Sequence, residues 1–202
     1  MKKKIPNILV MVRIAMIPVF LWLFEQPTYT QIGNVQYTHE FGMVAVLVFL
    51  FAAFTDFLDG FLARRWDAVS NFGKLMDPLA DKLLVAAALI ALVYIRALPH
   101  WAVTIIISRE FLVTGLRMLA LEQGRPVISA SIWGKLKTVS HMVMIAFLMM
   151  WTYLMMWVRE GRLSNSIHWE QLRDFVILFA LATTIISGAE YIWKNRDVLK
   201  AV

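Results

Sequence analysis

Hydrophobic residues gather in six stretches, at Ile5–Phe24, Phe41–Ala63, Leu79–Ile95, Trp101–Leu119, Val139–Val158 and Phe175–Trp193, separated by short polar connections. Each is near the roughly 17–25 residues that an α-helix needs to cross a bilayer. A lipid-embedded backbone must satisfy its hydrogen bonds internally, so runs of this length predict helices. The predicted fold is all-α, an integral membrane bundle of six transmembrane helices. The connections are too short for a soluble domain, and no internal repeat, low-complexity tract or long linker interrupts them. Residues 1–202 therefore read as a single membrane domain.

Composition sharpens this picture. Of 202 residues, 60% are hydrophobic and the mean hydropathy is +0.66, well beyond the roughly 45–50% apolar share of a soluble domain. Lys2, Lys3 and Lys4 precede the first stretch as they would a signal peptide. No small-x-small cleavage site follows Phe24, so the segment is expected to remain in the mature protein. Absence of cysteine excludes disulfides and thiolate metal sites. With the N-terminus inside, Lys2, Lys3, Lys4, Arg64, Arg65, Lys74, Arg117, Arg125, Lys135, Lys137, Lys194, Arg196 and Lys200 are cytoplasmic. Only Arg96, Arg159, Arg162 and Arg173 are then external. The positive-inside rule thus predicts both termini in the cytoplasm. Topology accounts for the net charge of +6 without a nucleic-acid partner, and a basic inner face suits anionic lipids and phosphate-bearing substrates.

Charges inside the apolar stretches carry the chemistry. Arg13 and Lys82 sit near cytoplasmic ends, where snorkelling accommodates them. Arg109 sits deeper, and since adjacent helical residues do not face each other, it is not expected to pair simply with Glu110. The main constellation is D-x2-D-G-x2-A-R-x8-G-x3-D-x3-D, running from Asp56 through Asp59, Gly60, Ala63, Arg64, Gly73 and Asp77 to Asp81. Asp56 and Asp59 are i, i+3 at the cytoplasmic end of the second stretch; Asp77 and Asp81 are i, i+4 at the start of the third. Each pair shares a helix face, and Pro78 suits a first helical turn. A short loop makes the two helices antiparallel neighbours, so the four carboxylates are expected to converge just inside the inner membrane surface. Hard oxygen ligands without nearby His or Cys favour Mg²⁺ or Mn²⁺ over zinc, and four carboxylates suit two divalent cations, a recurring device of phosphoryl chemistry. Arg64 can neutralise a phosphate or diphosphate, while Gly60, Ala63 and Gly73 leave room for a ligand close to backbone. Helix packing is the alternative role of each small residue taken singly.

This pattern, complete at every position, resembles the signature of the CDP-alcohol phosphatidyltransferases, membrane enzymes that move a phosphatidyl or related group from a CDP-linked donor to an alcohol. The resemblance implies that Asp56, Asp59 and Asp77 are metal ligands and that Asp81 is the catalytic base on the acceptor hydroxyl while also touching a metal. It also implies that Asp56, Gly60, Ala63, Arg64 and Gly73 line the CDP site. Flanking segments extend the likeness over nearly the whole chain: IPNILVMVRI at the start, MDPLADKLLV at 76–85, SREFLVTGLR at 108–117 and WGKLKT at 133–138. They are similar to members whose donor is CDP-diacylglycerol and whose acceptor is glycerol 3-phosphate. That acceptor needs a cationic pocket, for which Arg109, Arg117, Lys135 and Lys137 are the candidates. A homodimer in the bacterial plasma membrane, multi-pass and with its active site facing the cytoplasm, is likewise implied. One position departs from the pattern, since Val10 stands where the family usually has Thr.

Competing readings absorb fewer of these residues. The same chemistry with inositol phosphate, serine or phosphatidylglycerol as acceptor shares the Asp motif, although a cation-rich pocket argues against serine. An intramembrane prenyltransferase also uses Asp and Mg²⁺, but its motifs lack D-G-x2-A-R. A divalent-cation transporter would place its site near the midplane, without a cation such as Arg64 beside it. His39, His100, His141 and His168 have no ligand spacing and read as packing or interfacial residues. The methionines of the fifth stretch read as adaptable packing.

Overall fold

A computed structural model of the chain describes residues 5–25, 43–55, 71–124, 131–159 and 168–199. Among them no strand occurs, and seven helices follow in order: α1 (Ile5–Glu25), α2 (Met43–Thr55), α3 (Asn71–Tyr94), α4 (His100–Glu122), α5 (Ile132–Arg159), α6 (Trp169–Lys194) and the single turn α7 (Arg196–Leu199). They belong to two compact units, Met1–Tyr94 and Ile95–Val202. Of the described helices, α6 meets a strict length-and-hydropathy requirement for crossing a membrane.

In the first unit α1 packs along α3, and the ring of Phe20 on α1 lies 5.9 Å from that of Phe49 on α2. The buried positions described on α3 are Ala80, Leu84, Ala87, Ala88, Leu89, Ala91 and Leu92, most of them on one helical stripe. Alanine dominates it, as it does Ala45 and Ala52 on α2. Small side chains let backbones approach closely, the packing mode of helices in lipid, where van der Waals contact replaces water expulsion as the drive. Val10 is buried on the α1 stripe with Phe20 and Leu23, so the position where the family usually carries a hydroxyl serves here as core. Arg13 falls on the same stripe with no exposed surface. It therefore does not snorkel, because the periodicity of α1 turns its side chain into the unit rather than toward the membrane surface.

In the second unit α6 packs against both α4 and α5. Met144 and Met149 are buried on α5, as expected of adaptable packing. The opposite faces carry large exposed apolar residues, among them Phe111, Ile132, Phe175, Leu178, Ile185 and Trp193. Water-soluble surfaces seldom gather so many, and the pattern suits a lipid-facing surface. Helix α4 stops at the left-handed Gly124, whose φ is +69° and whose N–H donates to Leu121 O at 3.0 Å; a left-handed residue after the last turn suits glycine because it lacks Cβ. Ser131 caps α5, its Oγ accepting from the Gly134 N–H at 3.2 Å while also bonding to Glu190 on α6.

Several helices begin earlier than their apolar stretches predict. α3 starts at Asn71 instead of Leu79, α5 at Ile132 instead of Val139, and α6 at Trp169 instead of Phe175. Hydropathy marks where side chains become apolar, whereas the backbone ladder continues through polar turns. Pro78 consequently lies beyond the first turn of α3, and Lys135 and Lys137 belong to α5 itself rather than to an entrance before it.

Candidate functional site

The structure gives the Asp motif one described helix. Gly73, Asp77 and Asp81 lie on α3, with the two aspartates one turn apart at its N-terminal half. Asp81 is half-buried and sits beside Ala80, the first fully buried alanine of the α3 stripe. Asp56, Asp59, Gly60, Ala63 and Arg64 lie outside the described residues. Among the described residues no three His, Asp or Glu side chains assemble into a metal-ligating group. The hard-oxygen chemistry of Asp77 and Asp81, held at i, i+4 on one helix, fits a divalent cation of the Mg²⁺ or Mn²⁺ class.

The cationic residues separate into two sets. Glu110 on α4 accepts from Arg109 Nη1 at 3.2 Å and, on the same Oε1, from Lys137 Nζ of α5. The expectation that Arg109 and Glu110 would not pair is therefore corrected. Their Cα–Cβ directions diverge by about a quarter-turn of the helix, but both side chains are long enough to bend together, and Lys137 joins Arg109 on the same Glu110 oxygen. Burial is substantial, with side-chain exposures of 14% for Arg109, 25% for Glu110 and 9% for Lys137. Arg109 Nε is buried and has no hydrogen-bond partner among the described residues. Arg117 and Lys135, by contrast, are exposed, and no ion pair or hydrogen bond ties either to this cluster among the described residues.

Among the described residues this one carboxylate draws together two cations. A buried charge is costly unless an opposite charge compensates it, which is why the two cations share this carboxylate. Guanidinium N–H donors match phosphate oxygens in geometry and charge. Helix α6 shapes the space beside it: a Cβ on Gly188 would lie 3.2 Å from Arg109 Cγ. One turn further along α5, His141 Nε2 lies 2.6 Å from Thr184 Oγ1 of α6. The Thr184 hydroxyl donates its proton to Ala180 O at 2.6 Å, so His141 Nε2 is the donor in their mutual bond. Ser140 and Thr183 add a second hydroxyl contact at 2.8 Å. This polar seam holds α5, and with it Lys137, in register with α6.

Residues 3–186 match the family model described as CDP-alcohol phosphatidyltransferase. The chain belongs to that family. Among curated proteins, the CDP-diacylglycerol–glycerol-3-phosphate 3-phosphatidyltransferase of Bacillus subtilis strain 168 is 38% identical over 200 residues, covering 97% of each chain. The probable phosphatidylglycerophosphate synthase of Mycobacterium tuberculosis H37Rv is 35% identical over 194 residues, covering 95% of this chain and 82% of its own. A Salmonella typhimurium CDP-diacylglycerol–glycerol-3-phosphate 3-phosphatidyltransferase is 39% identical over 155 residues, 74% of this chain and 78% of its own. Membership of this family makes the chain a phosphatidyltransferase. Sequence reasoning named Arg109 and Lys137 together, set Glu110 aside as a partner, and did not single out Gly188. The adjacency of Glu110 to Arg109 hid its role, and nothing in the local sequence marks Gly188 as facing another helix.

Proposed function

We propose that this enzyme transfers the phosphatidyl group of CDP-diacylglycerol to glycerol 3-phosphate, yielding phosphatidylglycerol phosphate and CMP. The observation that carries the choice of acceptor is the Arg109–Glu110–Lys137 cluster, where two cations from different helices meet, and a pair of cations suits a substrate bearing its own phosphate. The printed activities of the bacterial relatives support the same choice. Arg117 and Lys135, exposed on α4 and α5, extend the positive field through which the acceptor arrives.

In this reading Asp56, Asp59, Asp77 and Asp81 hold two divalent cations, Mg²⁺ or Mn²⁺. When bound, such ions polarise the diphosphate and neutralise charge on departing CMP. Asp56, Gly60, Ala63, Arg64 and Gly73 receive the CDP moiety, with Arg64 opposing its phosphates and the small residues admitting it close to backbone. Asp81 accepts the proton of the glycerol hydroxyl as that oxygen bonds to the phosphorus carrying diacylglycerol. The bond from this phosphorus to the CMP oxygen breaks, and CMP leaves.

The same proposal includes a single domain spanning 1–202, six membrane crossings with both termini cytoplasmic, and a homodimer in the bacterial plasma membrane with its active site facing the cytoplasm. Lipid tails then remain in hydrocarbon while the nucleotide and acceptor come from water. The test is CMP release by purified protein given CDP-diacylglycerol and, separately, glycerol 3-phosphate, inositol phosphate, serine or phosphatidylglycerol. Glycerol 3-phosphate is expected to have the highest kcat/KM. A higher value for another acceptor reassigns the substrate.

A further inference from the structure

We infer that Glu110 and Gly188 are positioning residues for the anionic group of the acceptor, Glu110 by drawing Arg109 and Lys137 onto one carboxylate and Gly188 by leaving space for the Arg109 stem. The inference rests on the acceptor reading above and adds two residues to it, neither of which touches substrate. Glu110 links cations from different helices through a single oxygen, Oε1. Long lysine and arginine side chains lose considerable rotamer freedom when ordered, and the shared carboxylate orders both before the anion arrives. Gly188 acts sterically. With a Cβ 3.2 Å from Arg109 Cγ, the stem must shift by a few tenths of an ångström, and that displacement grows along the side chain toward the guanidinium.

Electrostatics and positioning predict opposite signs for Glu110→Gln. Removing a negative charge beside a phosphate site strengthens the attraction for a dianion, so charge alone lowers the glycerol 3-phosphate KM. Positioning raises it, because the two cations lose their common anchor. For Gly188→Ala no charge changes, and alanine is the better helix former, so a loss of acceptor affinity without a fall in thermal stability separates positioning from a folding defect.

The experiment uses the full chain in detergent micelles containing CDP-diacylglycerol, with glycerol 3-phosphate varied, CMP release measured and melting temperature recorded for each variant. Gly188→Ala and Glu110→Gln should each raise the acceptor KM about tenfold, the scale of one weakened charge-assisted hydrogen bond. Most of the effect should fall on KM, and the donor KM should stay near wild type. Arg109→Ala is the control for the underlying reading. If it raises the acceptor KM while Gly188→Ala leaves it at the wild-type value, or while Glu110→Gln lowers it, the positioning inference is overturned and the acceptor site stands. If Arg109→Ala leaves the acceptor KM unchanged, the acceptor site itself is misplaced, and the inference falls with it.

Discussion

Replacing Thr184 by valine tests whether the polar seam between α5 and α6 is held by its hydrogen bonds or merely by shape. Thr184 has no exposed surface and His141 is 3% exposed, so neither group reaches solvent. Valine keeps the branched outline but removes the oxygen that accepts from His141 Nε2 at 2.6 Å. The imidazole nitrogen that loses this hydroxyl, with only the Ala180 carbonyl beside it among the described residues, sets the magnitude. An unsatisfied buried donor costs about 1–3 kcal/mol in a water-soluble core, whereas hydrogen bonds between membrane helices average only about 0.6 and reach about 1.7 kcal/mol, because the unfolded helices also find partners. A loss of about 1–2 kcal/mol is expected. Thr184→Ser loses a methyl of comparable worth, about 1 kcal/mol, so single variants do not discriminate. The double-mutant cycle with His141→Leu does. Once the ring is gone, Thr184→Val strands nothing, and its effect should shrink by about 1 kcal/mol. Equilibrium unfolding in mixed micelles with a denaturing detergent, followed by tryptophan fluorescence, measures all four corners. Additivity of the two substitutions within about 0.3 kcal/mol would refute the argument and reduce the seam to packing.

The Asp motif should divide under metal titration: Asp81→Asn abolishes CMP release at every Mg²⁺ or Mn²⁺ concentration because Asn keeps the shape but accepts no proton, while Asp56→Asn, Asp59→Asn and Asp77→Asn recover partly with excess metal. Rescue of Asp81→Asn as readily as the others makes it mainly a ligand and sends the search for the base elsewhere. Topology is testable because the chain lacks cysteine. A cysteine introduced at Ser70 should resist a membrane-impermeant thiol reagent in intact cells and react after the membrane is opened; labelling from outside inverts the proposed orientation.

Much of the architecture was legible in the sequence because its signals are local. Long apolar runs predicted the helices, and their existence and order agree with the described elements, although the polar first turns of α3, α5 and α6 were placed outside them. The spacing of Asp77 and Asp81 located both on one helix. The family was readable from the same motif, since its spacing is specific. The burial of Arg13 was not readable, because a cation near the end of an apolar stretch snorkels or turns inward depending on which stripe its neighbours bury.

Composition and periodicity by themselves determined an all-helical chain with a surplus of cations and paired acidic residues at helical spacing, and the resemblance of its Asp motif pointed to the CDP-alcohol phosphatidyltransferase family. These signals are all local to the chain. Which cations act together was decided only by tertiary structure. Arg109 and Lys137 are 28 positions apart in numbering (137 − 109), yet they meet on Glu110, while Arg117 and Lys135, equally plausible from sequence, remain exposed. The physical reason is that charge compensation and close packing act through space. A carboxylate selects whichever cations the helix crossings bring within reach, and a glycine such as Gly188 acquires its role only from the side chain that another helix places beside it.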